Sequence, residues 1–191
     1  MLLLLAAALA VAPFDLTPAE RARALGGEAV VRVEPVQDSS GSRGSGLGAI
    51  TVHRPLPAVW RQLITYEDKP DYMPNLKSAK VLRRDGGGLS VRMESKVAWS
   101  TFRYTLQCAF DEPRHRIEWR LDPTAADNDV AASEGGWQLE ALPGGWTLAI
   151  YRSRVDIGRS LPGFVKDLIL SRSLPAILRA VKDRAEQGPG Y

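Results

Sequence analysis

Residues 50–82, ITVHRPLPAVWRQLITYEDKPDYMPNLKSAKVL, decide the fold. They read as a strand, a prolyl stop, a short helix, a second prolyl corner and another strand. Within Ala49–His53 the apolar Ile50 and Val52 alternate, and Pro55 and Pro57 then end sheet pairing, because a proline nitrogen has no hydrogen to donate. Proline fits the first turn of a helix, so Pro57 predicts a helix running to about Tyr66. Val59, Trp60, Leu63 and Ile64 fall on one apolar stripe at helical spacing, while Arg61, Gln62 and Glu67 face water. Pro70 and Pro74 bracket Asp71-Tyr72-Met73, a corner that turns an aromatic ring and a thioether inward. Ser78–Leu82 resumes as a strand.

Downstream the period is two. Leu89, Val91, Met93, Ser95, Val97 and Trp99 share one face, and Arg92, Glu94 and Lys96 the other. Phe102, Tyr104, Leu106, Cys108 and Phe110 form the inner face of the next strand. His115, Ile117, Trp119 and Leu121 do so in the third. Trp137 and Leu139 point inward from 131–142, and Pro143-Gly144-Gly145 turns the chain into 146–157, with Ala149, Tyr151, Ser153 and Val155 inward. Six short strands with tight turns predict an antiparallel meander with one dry face and one wet face. From Pro162 to about Glu186 the apolar residues recur every three or four positions, which predicts a long amphipathic helix kinked at Pro175. At about 1.5 Å per residue such a helix runs about 35 Å, enough to cross the sheet. A curved sheet and a straight helix leave space between them.

Upstream, Thr17-Pro18-Ala19-Glu20 is a capping box with proline at the first helical position, opening a two-turn helix that Gly26-Gly27 ends. Residues 29–33 read as a strand, and 38–46 (DSSGSRGSG) as a flexible loop joining two strands. Residues 1–12 form an apolar run ending in Ala10-Val11-Ala12. That run is too short to span a bilayer of roughly 30 Å but suits the apolar core of a secretory signal, although no Lys or Arg precedes its leucines. The expectation is an exported protein, periplasmic or secreted, with residues 13–191 forming a single ligand-binding domain.

Composition excludes several classes. The net charge of +3 comes without any block of five basic residues, so no nucleic-acid footprint is expected. The single Cys108 cannot form an internal disulfide, and with two histidines it leaves no ligand set for zinc. Gly86-Gly87-Gly88 precedes no helix and is not a phosphate cradle. No metal, cofactor or catalytic group is assigned. A transient contact with anionic lipid surfaces fits the sequence pI of about 9.2.

The order of strand, Pro-x-x-x-Val-Trp helix, Tyr-Glu-x-x-Pro-x-Tyr-Met-Pro corner, strands, Gly-Trp before Gln-Leu-Glu, and terminal helix with Ser-Leu-Pro resembles the START-like superfamily. Its closest branch here is the polyketide cyclase/dehydrase and coenzyme Q-binding group. The resemblance covers about Glu28–Glu186. It implies an α+β helix-grip fold, a curved antiparallel sheet wrapped around a long C-terminal helix over a deep apolar cavity. Lipid and sterol carriers, quinone-binding proteins and some cyclases share that fold, so fold alone does not choose among them.

The expected ligand-binding residues are Tyr72, Met73, Met93, Ser95, Tyr104, His115, Trp119, Trp137, Tyr151, Ser153, Phe164 and Leu168. Trp99, Trp119 and Trp137 are either core bulk or cavity wall, and pockets favour aromatic walls carrying a few polar groups. Ser95, His115, Tyr151 and Ser153 supply those polar groups, each to the ligand or to backbone and buried water. Tyr72, Met73, Phe164 and Leu168 are expected at the mouth. His115 is the one histidine placed for acid–base work, but the strand carboxylates mostly point outward, and only Asp111 and Glu112, at a turn, stay open as partners. Carriage of a hydrophobic small molecule (lipid, sterol or isoprenoid/quinone) is therefore preferred over a cyclase or dehydratase in the same cavity. A groove for a protein segment is the weaker third reading.

Overall fold

The computed structural model describes residues 14–34, 43–97, 99–158 and 173–188. Thr17 caps helix α1 (Pro18–Leu25) as expected: its side chain accepts from the Glu20 backbone N–H while Glu20 accepts from the Thr17 backbone N–H. Strands β1 (Val30–Glu34) and β2 (Arg43–Val52) follow, then α2 (Leu56–Ile64) with Pro57 in its first turn. A single 3-10 turn, Lys69–Asp71, forms the second prolyl corner. Then come β3 (Leu76–Asp85), β4 (Gly88–Val97), β5 (Ser100–Asp111), β6 (Arg116–Leu121), β7 (Ala132–Leu142) and β8 (Trp146–Asp156). Helix α3 (Ser173–Gln187) closes the described chain.

The eight strands form one antiparallel sheet in the order β1-β2-β8-β7-β6-β5-β4-β3. All connections are between neighbours except β2 to β3, which α2 carries across the sheet. This curved sheet with its C-terminal helix is the expected α+β helix-grip architecture. On the inner face, α2 brings Val59, Trp60 and Leu63 to the same core as Leu174, Leu178 and Val181 of α3. Hairpin turns sit where glycine was read: Gly144 and Gly145 both take positive φ, 81° and 74°, between β7 and β8.

Three expectations change. The glycines of 43–46 are strand, not loop: β2 starts at Arg43 and pairs with β8 from Arg43↔Asp156 onward. Glycine there has a packing reason. A Cβ on Gly46 or Gly48 would lie 2.3 Å from Leu174 Cδ1 or 2.8 Å from Leu178 Cδ1, so bare backbone lets α3 descend onto β2. Second, the outer face is not uniformly wet. Phe14 and Ala24 cover Val30, Leu47, Ala49, Leu148 and Ile150, making a small second core behind the sheet. Third, Trp99 is in the β4–β5 turn, 72% exposed, because the alternation ends at Val97. Of the expected terminal helix, the described part, α3, has 15 residues and spans about 22 Å. Pro175 is its third residue, and the turn it would distort, with the rest of the expected helix from Pro162, lies outside the described residues.

Candidate functional site

The space between sheet and α3 is a cavity of about 260 Å³. Strands supply most of its wall through the inward half of their alternation: Met93 and Ser95 from β4, Tyr104 and Leu106 from β5, Trp119 from β6. Trp137 of β7 and Tyr151 and Ser153 of β8 complete the aromatic side. Helix α3 lays Leu174 and Ile177 over the opening, and the prolyl corner adds Met73 and Pro74.

The wall is ordered by ring contacts. Trp137 and Tyr151 lie opposite each other on paired strands with centroids 4.6 Å apart, and Trp119 packs against Tyr151 at 5.7 Å. Trp119 fits because its partner across the ladder is Gly135: a Cβ there would come within 2.4 Å of the indole. Among the polar groups, Ser95 Oγ and the Tyr104 hydroxyl hydrogen-bond each other at 2.9 Å. Burial pushes the Tyr151 phenol up to about 12 and raises Tyr104 as well, so both remain neutral donors at physiological pH.

Of the residues singled out from sequence, Met73, Met93, Ser95, Tyr104, Trp119, Trp137, Tyr151 and Ser153 are on this wall. Two are elsewhere. Tyr72 lies on the flank between α2 and α3, with the Arg184 guanidinium 5.8 Å from its ring, and burial pushes its phenol up to about 12. The single turn explains this: Met73 N–H donates to the Lys69 carbonyl at 2.8 Å, so residues four apart share the cavity side and Tyr72 is rotated off it. His115 is not on a strand. It sits in the β5–β6 turn in the left-handed region, φ 51°, with its ring edge-on to Trp60 at 6.4 Å. The strand alternation starts one residue later, at Arg116. Phe164 and Leu168 lie outside the described residues.

The wall also holds residues outside the expected set, among them Tyr66 and Lys69. Lys69 is 4% exposed, in a stretch, Glu67-Asp68-Lys69-Pro70-Asp71, that reads as entirely wet. Its amine stands 3.3 Å over the Tyr66 ring. Desolvation lowers its pKa to about 7, with Cys108 of β5 nearby acting weakly the other way. Burial in turn raises the Cys108 thiol and the Tyr66 phenol, so at neutral pH neither supplies an anion for the amine. No sequence signal marks this lysine, since only the fold brings Tyr66 and Cys108 around it. Among the described residues, the wall carries no Asp, Glu or His, and no group of three metal-ligating side chains assembles.

An antiparallel sheet gripping a C-terminal helix over an aromatic-walled cavity defines a START-like, helix-grip protein. Within that class, the chain belongs to the polyketide cyclase / dehydrase and lipid transport family, whose model matches residues 52–182. Solved structures share the fold. An aromatase/cyclase, Zhui, from a Streptomyces species is 22% identical, with 76% of this chain and 94% of that one covered and a TM-score of 0.65. A STAR-related lipid transfer protein from Xanthomonas axonopodis is 14% identical, covering 85% and 99%, with a TM-score of 0.69. A START superfamily protein from Mycobacterium smegmatis is 16% identical, covering 75% and 97%, with a TM-score of 0.62. No curated protein sequence matches the chain.

Proposed function

We propose that this protein binds and carries a hydrophobic small molecule, a lipid, sterol or isoprenoid/quinone, in the cavity between sheet and α3, and that it works after export. The observation that carries this reading is a mostly apolar wall, with Trp119, Trp137, Tyr151, Met93 and Leu106, around a cavity of about 260 Å³. Well-packed cores leave few voids larger than a water molecule, so so large a space needs an occupant to recover its dispersion contacts. Burying roughly 300 Å² of guest at about 25 cal/mol per Å² contributes about 7 kcal/mol before the losses of association. Membership of a family that includes lipid transport fits the reading.

A cyclase or dehydratase working in the same cavity would need an acid–base pair facing the guest. His115 lies off the wall, no carboxylate is among the described wall residues, and Lys69 stands there with no acidic or histidine partner among them. Carriage is therefore the better reading. Native mass spectrometry of protein purified from an exporting host, with organic extraction of what co-purifies, tests it. One hydrophobic molecule per chain is the expected result; a chain that stays empty when offered short-chain and ringed apolar probes would remove it. The same spectrum reads the N-terminus: a mature mass beginning after Ala12 supports export, and one beginning at Met1 counts against it.

A further inference from the structure

A purely apolar guest would leave Lys69 without a purpose. Taking an ammonium group out of water is costly unless a partner charge comes with it, and a lysine stem is long enough to carry its amine back to solvent. Lys69 instead is held inside, over Tyr66 and beside Cys108, on a turn fixed by the Met73 N–H to Lys69 carbonyl bond. Among the described residues no acidic side chain pairs with it. Asp68 and Asp71 of its own turn are exposed, and the titratable groups around it from other elements are Cys108 of β5 and, across Tyr66, Tyr72 and Tyr151. All are neutral at physiological pH. The neighbouring polar pair, Ser95 and Tyr104, is already satisfied within itself.

Resting on the carrier reading above, the geometry points to Lys69 as the anchor for an acidic head group: the guest is a short monocarboxylic amphiphile whose carboxylate meets the Lys69 amine while its tail lies along Met93, Trp119 and Trp137. The ligand supplies the missing anion, and the amine takes up a proton to meet it. Because desolvation has left the free amine at about 7, that proton comes from solvent when the acid binds above neutrality. The cavity of about 260 Å³ has room for an eight-carbon chain.

The test is calorimetric titration of the full chain with octanoate and with 1-octanol at pH 8, in two buffers of different ionisation enthalpy. Octanoate is expected to bind at least about tenfold more tightly than 1-octanol and to draw about one proton per molecule bound, with no uptake for the alcohol. Lys69→Met is expected to level the two affinities and abolish the uptake. Equal binding of acid and alcohol by the wild type overturns the inference and leaves the carrier reading standing; binding of neither overturns both. A preference or proton uptake that survives in Lys69→Met also overturns the inference. Should that variant fail to fold, the preference and proton count of the wild type decide alone. Borohydride trapping of a Lys69 adduct with 2-octanone, without any acid preference, would replace the ion pair by imine chemistry.

Discussion

At Lys69 the desolvation that holds the amine at about 7, against an ordinary 10.5, is also a statement about stability. Between about 7 and 10.5 the unfolded chain binds a proton that the folded chain does not, so the wild type gains stability as pH rises through that window. Below it, the full penalty applies, on the order of 5 kcal/mol for a shift of this size. Lys69→Met removes the titrating group. Urea unfolding should therefore find the variant more stable than the wild type at pH 7, with the gap closing toward pH 10; a gap independent of pH would refute the buried amine. Gly135 makes the opposite kind of prediction. A methyl there meets Trp119 at 2.4 Å and the Arg152 carbonyl oxygen at 2.3 Å, so Gly135→Ala should cost about 1–3 kcal/mol and weaken capture of an apolar probe as the indole shifts into the cavity. Chemical denaturation together with fluorescent-probe titration reads both effects.

Helix α3 is held unevenly along its length. Its C-terminal end is clamped by Arg54, which donates to the carbonyls of Ala185, Glu186 and Gly188, and by Lys182, which donates to the Thr51 carbonyl and pairs with Glu186. The Arg54 bonds satisfy orphan carbonyls at the end of the helix. The N-terminal end brings Ser173, Leu174 and Ile177 to the cavity. Arg54→Ala should fray the last turn and cost about 1–3 kcal/mol, visible as faster amide exchange confined to the C-terminal end of α3. Gly48→Val tests the docking seat instead. Its side chain would strike Leu178, which is fully buried, and the Val30 carbonyl oxygen, so α3 should lift and stability fall by about 2–4 kcal/mol in thermal unfolding. These elements were unequally legible. Strands β4–β8 announce themselves because one buried face imposes a strict alternation, and α1 because its capping box is local. The start of β2 did not, because Gly44 and Gly46 resemble a loop until α3 is seen to pack on Gly46. The outer core under Phe14 and Ala24 was hidden for a related reason: small and apolar residues on the second face of β2 and β8 carry no label saying which partner covers them.

On the scale of the whole molecule, cavity and stability are coupled. An occupant that binds the folded state alone stabilises it by RT ln(1 + [L]/Kd), about 2.7 kcal/mol at a hundredfold excess over Kd. For a domain of this size that is a rise of roughly 5–10 °C in Tm, to be read by scanning calorimetry with octanoate added to delipidated protein. No shift with any apolar probe would argue that the volume between sheet and helix is not a binding site. Much of this architecture is local information. Alternation of apolar residues, prolines that forbid a ladder, a capping box and paired glycines set strands, stops and turns within a few neighbours, and from them the chain alone specified an antiparallel meander, a crossover helix, a terminal helix and the inward positions of Trp119, Trp137 and Tyr151. What only the tertiary structure decided is which polar groups are shut inside and how much space surrounds them. Lys69 is charged, flanked by aspartates and adjacent to a proline, and nothing in that context buries it; β5 and the cavity do. Burial and desolvation belong to the assembly of distant segments, not to residue type, and so Lys69 becomes a buried wall residue only once the sheet has closed over it.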